Sequence, residues 1–122
     1  MKPDFLYINS RDSLLRLNIN HIVYFEADGN YTIITSANAV RHTVGMTLAK
    51  VQDMLTESLG QRAQRFVRIG KSHIVSMNYI SLIDIPKQTL TLSDDCSFTF
   101  KVSVSKEALR KLKEIFIKQR TK

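Results

Sequence analysis

Apolar residues along the chain keep one of two spacings, and the places where the spacing changes divide it into elements. Phe5 to Asn9 reads as a short strand and Ser10-Arg11-Asp12 as a turn. Ser13 to Ile19 follows as a second strand, with Leu15, Leu17 and Ile19 on one face and Arg16 and Asn18 on the other. His21 to Ala27 is nearly all apolar, as a central strand covered on both faces requires. Asp28-Gly29-Asn30 then turns the chain, because Asp and Gly accept the backbone angles that tight hairpins need. Tyr31 to Thr35 returns as a β-branched strand, and Ser36-Ala37-Asn38 leads into Val40 to Val44.

At Thr47 the period becomes helical. Leu48, Val51, Met54, Leu55 and Leu59 share one face, Thr47 is an acceptable N-cap and Gly60 a natural stop. The polar side of this helix, with Lys50, Gln52, Asp53 and Glu57, has mixed charge and reads as a solvated face. Strands resume over Ile80 to Ile85, Gln88 to Leu92 and Phe98 to Val104, separated by turns at Pro86-Lys87 and Ser93-Asp94-Asp95. In the last strand Phe98, Phe100, Val102 and Val104 alternate with Thr99, Lys101 and Ser103. Ser105 can cap a final helix with Ala108, Leu109, Leu112, Ile115 and Phe116 toward the core and Lys106, Arg110, Lys111, Lys113 and Lys118 outside. Gln119 to Lys122 is expected to fray. The pattern predicts a mostly β fold, a β-rich α+β arrangement with helices near 47–59 and 105–117. Tyr24, Phe25, Phe66, Ile74, Leu109 and Leu112 are expected in its core.

Between the first helix and the later strands lies the segment from Phe66 to Ile80, which mixes apolar anchors with cations. Phe66, Ile69, Ile74, Val75, Met77 and Ile80 fix it to a scaffold, while Arg68 and Lys71 bracket Gly70, the residue here that tolerates any backbone angle. A rigidly mounted basic loop suits an anionic partner. A half-buried strand with a solvated face explains the same alternation.

Composition narrows the classes. A chain of 122 residues fits a single domain over 1–122, and 43% hydrophobic with 24% charged residues matches a globular protein. The single cysteine, Cys96, closes no internal disulfide, which points to a reducing compartment and makes the cytoplasm the default. Met1 to Tyr7 lacks the features of a secretory signal, and no apolar run approaches membrane-spanning length. Net charge is +7 but uneven: residues 1–60 carry five Lys/Arg against six Asp/Glu, and residues 61–122 carry thirteen against five. A basic half favours nucleic acid, an acidic membrane surface or an acidic protein as partner.

Catalytic chemistry needs groups that converge. His21, His42 and His73 fall on different elements without metal-ligand spacing. Asp94-Asp95 occupies a turn, where Asp bonds nearby backbone. Cys96 has no histidine or cation beside it, and no nucleophile elbow, phosphate-cradling loop or dinucleotide fingerprint occurs. We therefore expect no enzyme activity, no cofactor, no metal and no small-molecule substrate.

The run from Ile22 to Thr32 (IVYFEADGNYT), followed some forty residues later by Phe66 to Val75 (FVRIGKSHIV), resembles the LytTR family of bacterial DNA-binding domains. The resemblance extends from the first hairpin through Thr47-Leu48 to Val104-Ser105-Lys106 and the last helix. It implies packed antiparallel sheets and recognition of double-stranded promoter DNA by loops, as in the output domain of a response regulator. The loops it implies are Asp28 to Thr32, Arg68 to His73 and Ser105 to Glu107. Its candidate DNA-contacting residues are Asn30, Tyr31, Arg68, Lys71, Ser72, His73, Ser105, Lys106 and Arg110. Gly70 stands where the family often has histidine, His73 where it often has tyrosine, and Lys106-Glu107 where arginine is common. Lys lacks the planar fork with which Arg grips guanine O6 and N7, so phosphate binding is the simpler role for the third loop.

Arg68 has a second reading, as a strut paired with a carboxylate such as Glu26. Only about four residues precede the first strand, which fits a stand-alone regulator without a receiver domain or an excised domain. Two copies on repeated half-sites remain open. The alternative function is a protein-interaction module whose basic half meets an acidic partner.

Overall fold

Side chains alternate across a β-strand, so one central sheet can face two separate cores. The computed structural model describes residues 4–120 and shows this arrangement. Its strands are β1 (Phe5–Asn9), β2 (Leu14–Asn18), β3 (Ile22–Asp28), β4 (Tyr31–Ser36), β5 (Arg41–Val44), β6 (Phe66–Ile69), β7 (His73–Ser76), β8 (Ile80–Asp84), β9 (Thr89–Ser93) and β10 (Thr99–Ser103). The α-helices are α1 (Leu48–Leu59) and α2 (Lys106–Arg120). A five-stranded sheet of order β5-β4-β3-β7-β6 lies between the β1-β2 hairpin with α1 on one side and the β10-β9-β8 sheet with α2 on the other. All pairings are antiparallel. The mostly β expectation therefore holds, with both helices near their predicted positions.

β3 explains how one strand serves two cores. A bulge between Ile22 and Tyr24 interrupts strict alternation, so Ile22 and Phe25 join the α1 core while Val23 and Tyr24 join the α2 core. Phe25 meets Phe66 edge to face at 5.6 Å, one of the ring geometries that the aromatic quadrupole favours. Phe66, Ile74, Leu109 and Leu112 are buried as expected, whereas Tyr24 is half-buried and edges against Phe100.

The ends of elements depart from the pattern. Ile19 is buried but belongs to a 3-10 turn, Ile19–His21, because Asn18 caps that turn through its side-chain oxygen. Thr47 Oγ1 accepts the Lys50 N–H, and Gly60, at φ +59°, ends α1 as expected. The chain nevertheless keeps coiling as a 3-10 helix to Arg65. Ile115 was expected inward but is 38% exposed, because the last turns of α2 run past the apolar surface that covers Leu109 and Leu112. The helix extends to Arg120, and residues 121 and 122 of the expected tail lie outside the described residues. No helix among the described residues is long and apolar enough to cross a membrane.

Candidate nucleic-acid interface

Three connections that are distant in sequence meet at one end of the molecule. The β3-β4 turn has Gly29 at φ +61° with Asn30 on the negative side, the pattern of a type II′ hairpin turn. It leaves Asn30 and Tyr31 exposed, Tyr31 by 54%. The β6-β7 turn, Gly70-Lys71-Ser72, closes on the Ile69–His73 pair, and Gly70 again takes φ +61°. Between these turns the Ala27 N–H donates to the Ser72 carbonyl at 2.8 Å, so they lie side by side. The third connection is the β10-α2 junction. Ser105 Oγ accepts the Ala108 N–H at 3.2 Å and starts the helix, and a Cβ on Gly70 would stand 3.9 Å from that of Ala108.

A groove of about 460 Å³ separates the β6-β7 turn from α2. Val67, Ile69, Ala108, Leu112 and Ile115 give it apolar walls, while Arg68, Lys71, Ser72, His73, Ser103, Ser105, Glu107 and Lys111 supply polar groups. At 100° per residue, Glu107, Lys111 and Ile115 lie on the groove side of α2, whereas Lys106, Arg110 and Lys113 form a stripe on another side. Arg110 is thus exposed but directed away from the groove. Lys111, expected outside the core, is exposed and lines it. Only the packing of Leu109 and Leu112 orients the helix and reveals the difference.

Arg68 has a different position from Lys71. Strand alternation puts it on the Phe66 side of β6, toward α1, where its Nη1 donates to Gln52 Oε1 at 3.1 Å and its Nη2 to the Lys71 carbonyl at 3.0 Å. Its Nε is buried without a partner. The strut exists, but its acceptors are an amide and a turn carbonyl rather than Glu26. Gln52, read from sequence as part of a solvated face, is therefore a support of the β6-β7 turn.

His73 also differs from a surface contact. Its side chain is 13% exposed, with Nε2 lying 3.6 Å from Glu26 Oε2 and the ring tilted against Tyr24. Burial holds its pKa below the ordinary value of 6.5, a direction that the nearby Glu26 carboxylate opposes. Glu26 also pairs with Arg41 at 3.4 Å. His73 is thus a neutral wedge beneath the turn at neutral pH. Lys71, Ser72, Ser105 and Lys106 are exposed around it, together with Asn30 and Tyr31 on the first turn.

The model for the LytTr DNA-binding domain matches residues 12–117. Two transcriptional regulators of Paraburkholderia xenovorans (strain LB400) are similar in sequence. The heme-containing CO-sensing regulator RcoM 1 is 29% identical over 106 residues, covering 86% of this chain and 37% of that protein. RcoM 2, of the same description, is 30% identical over 111 residues, covering 90% and 38%. The chain thus spans less than two-fifths of these relatives. A solved LytTr DNA-binding domain from Bacillus cereus shares the fold, with a TM-score of 0.62 at 20% identity over 93% of this chain and 96% of that one.

Proposed function

The chain belongs to the LytTr DNA-binding domain family, and from that premise we propose that it regulates transcription by reading promoter DNA with the end where the three connections meet. The observation that carries this reading is their juxtaposition, made by the Ala27–Ser72 backbone bond and the approach of Gly70 to Ala108. A cluster of short, stiff turns can enter a groove while its flanking cations hold phosphates, and phosphate contacts set the register in which base edges are read. Lys71 is the candidate base reader, because it leads on an exposed turn that Arg68 braces from behind. Asn30 and Tyr31 extend the reading surface, Ser72 and Ser105 offer hydroxyls, and Lys106 and Arg110 are suited to the backbone. His73 acts from below by shaping the turn. The protein works without catalysis, in the cytoplasm, and its acidic counterpart is the duplex itself.

Selection of bound duplexes from a randomised pool tests this. We expect one motif to be enriched and to shift in a gel at concentrations where a scrambled duplex does not. A pool that stays random with a folded protein would refute the reading. Enrichment of a repeated motif would indicate two copies on repeated half-sites.

A further inference from the structure

We propose that the β8-β9 turn, Pro86-Lys87-Gln88, is a fourth DNA-contacting element, with Lys87 neutralising a phosphate at the edge of the site. This inference rests on the DNA-binding reading of the same end of the molecule. In the linear sequence Pro86-Lys87 is only a connection between strands. Folding moves it beside the interface: the Val104 N–H donates to the Gln88 carbonyl at 3.0 Å, and Ser103 pairs with Thr89. The turn therefore abuts the junction that carries Ser105 and Lys106. The four connections form a row, from the β3-β4 turn through the β6-β7 turn and the β10-α2 junction to the β8-β9 turn.

The turn is also stiff and its cation unengaged. Pro86 restricts one backbone angle, Asp84 Oδ1 accepts the Lys87 N–H at 3.1 Å, and the Gln88 N–H donates to the Ile85 carbonyl at 3.1 Å. Gln88 holds φ at +54°, a left-handed value that a defined turn imposes. Lys87 is exposed, and among the described residues its ammonium makes no ion pair. The nearest acid in sequence, Asp84, is half-buried, and its Oδ1 accepts the backbone N–H of Lys87. A compact ammonium on a preset loop suits a phosphate oxygen, whereas base readout would favour a planar fork.

The test uses the whole chain and the duplex obtained by selection, with a scrambled duplex beside it. Wild type, Lys87→Ala and Lys118→Ala are titrated across a range of salt concentrations, with melting temperatures checked in parallel. Lys118 is an exposed cation about 18 Å along α2 from Lys106, at 1.5 Å per residue. We expect Lys87→Ala to reduce the slope of log K against log salt by about 0.9 on both duplexes. Lys118→Ala should leave the slope unchanged, and Lys87→Arg should restore it. If Lys87→Ala and wild type have the same slope, the inference is overturned while the DNA-binding reading stands. A wild type that binds neither duplex overturns both.

Discussion

Three side chains of the candidate interface differ in their physical setting, and single substitutions separate the tasks proposed for them. Lys71 is exposed on the turn. If it reads a base edge, Lys71→Ala should cost about 1–3 kcal/mol on the selected duplex and far less on a scrambled one. Fluorescence anisotropy with both duplexes decides, since an equal loss on each would assign Lys71 to phosphate. Arg68 braces the turn through Gln52 and the Lys71 carbonyl. Arg68→Ala should lower stability by about 1 kcal/mol, allowing for partial exposure of the hydrogen bonds, and speed amide exchange at Lys71 and Ser72. Unchanged exchange would show that the brace is dispensable.

His73 introduces a pH dependence whose sign follows from its burial. The folded chain resists a proton that the unfolded chain takes up near pH 6.5, so this contribution is complete above 6.5 and falls as pH drops toward the lower folded pKa. The Tyr24 ring and Glu26 face the imidazole, and the Glu26 carboxylate limits the effect. Melting curves between pH 7.5 and about 5 should therefore fall more steeply for wild type than for His73→Gln. Parallel curves would place the proton uptake elsewhere.

Among the elements, the β6-β7 hairpin matters most, because its strands reach both cores while its turn faces outward. Phe66 and Ile74 pack toward α1, and Ile69 and Val75 pack toward α2. Removing the Phe66 ring leaves a cavity against Phe25, so Phe66→Ala should destabilise the fold by about 3–5 kcal/mol in denaturant titrations. Loss of DNA binding in that variant would be indirect and should recover under stabilising conditions at low temperature. A midpoint equal to that of wild type would contradict the packing described. The helices have simpler roles: α1 covers one face of the central sheet and supplies Gln52, while α2 covers the second core and starts at the proposed interface.

For the whole molecule, charge distribution and fold act together. The cationic excess of residues 61–122 does not form one patch, since Arg62 and Arg65 bond Asp4 and Asn20 away from the turns. Lys106 begins α2 beside the β6-β7 turn and is exposed. Lys106→Ala should weaken all duplexes alike and reduce the salt slope by about 0.9, the signature of one lost phosphate contact. A sequence-dependent loss would instead make Lys106 a base reader.

Local pattern was enough to determine the β-rich class, both helices with their caps, the hairpin turn at Gly29, and most of the core, because period, capping chemistry and backbone tolerance act over a few residues. Around Gly70 that pattern left a basic loop and a half-buried strand as alternatives, and strand pairing made the segment a hairpin. The resemblance to the family rested on the same local runs. Tertiary structure alone decided the direction of each charged side chain. Arg68 and Lys71 are three residues apart, yet one is tied across the surface to Gln52 of α1 and the other remains exposed. His73 carries a titratable ring that packing against Tyr24 and Glu26 removes from the surface. Lys111 and Arg110 are adjacent, but the burial of Leu109 and Leu112 rotates only Lys111 into the groove. A short turn such as Pro86-Lys87-Gln88 gains its neighbours from strand pairing across the β10-β9-β8 sheet, a long-range contact that no local period encodes.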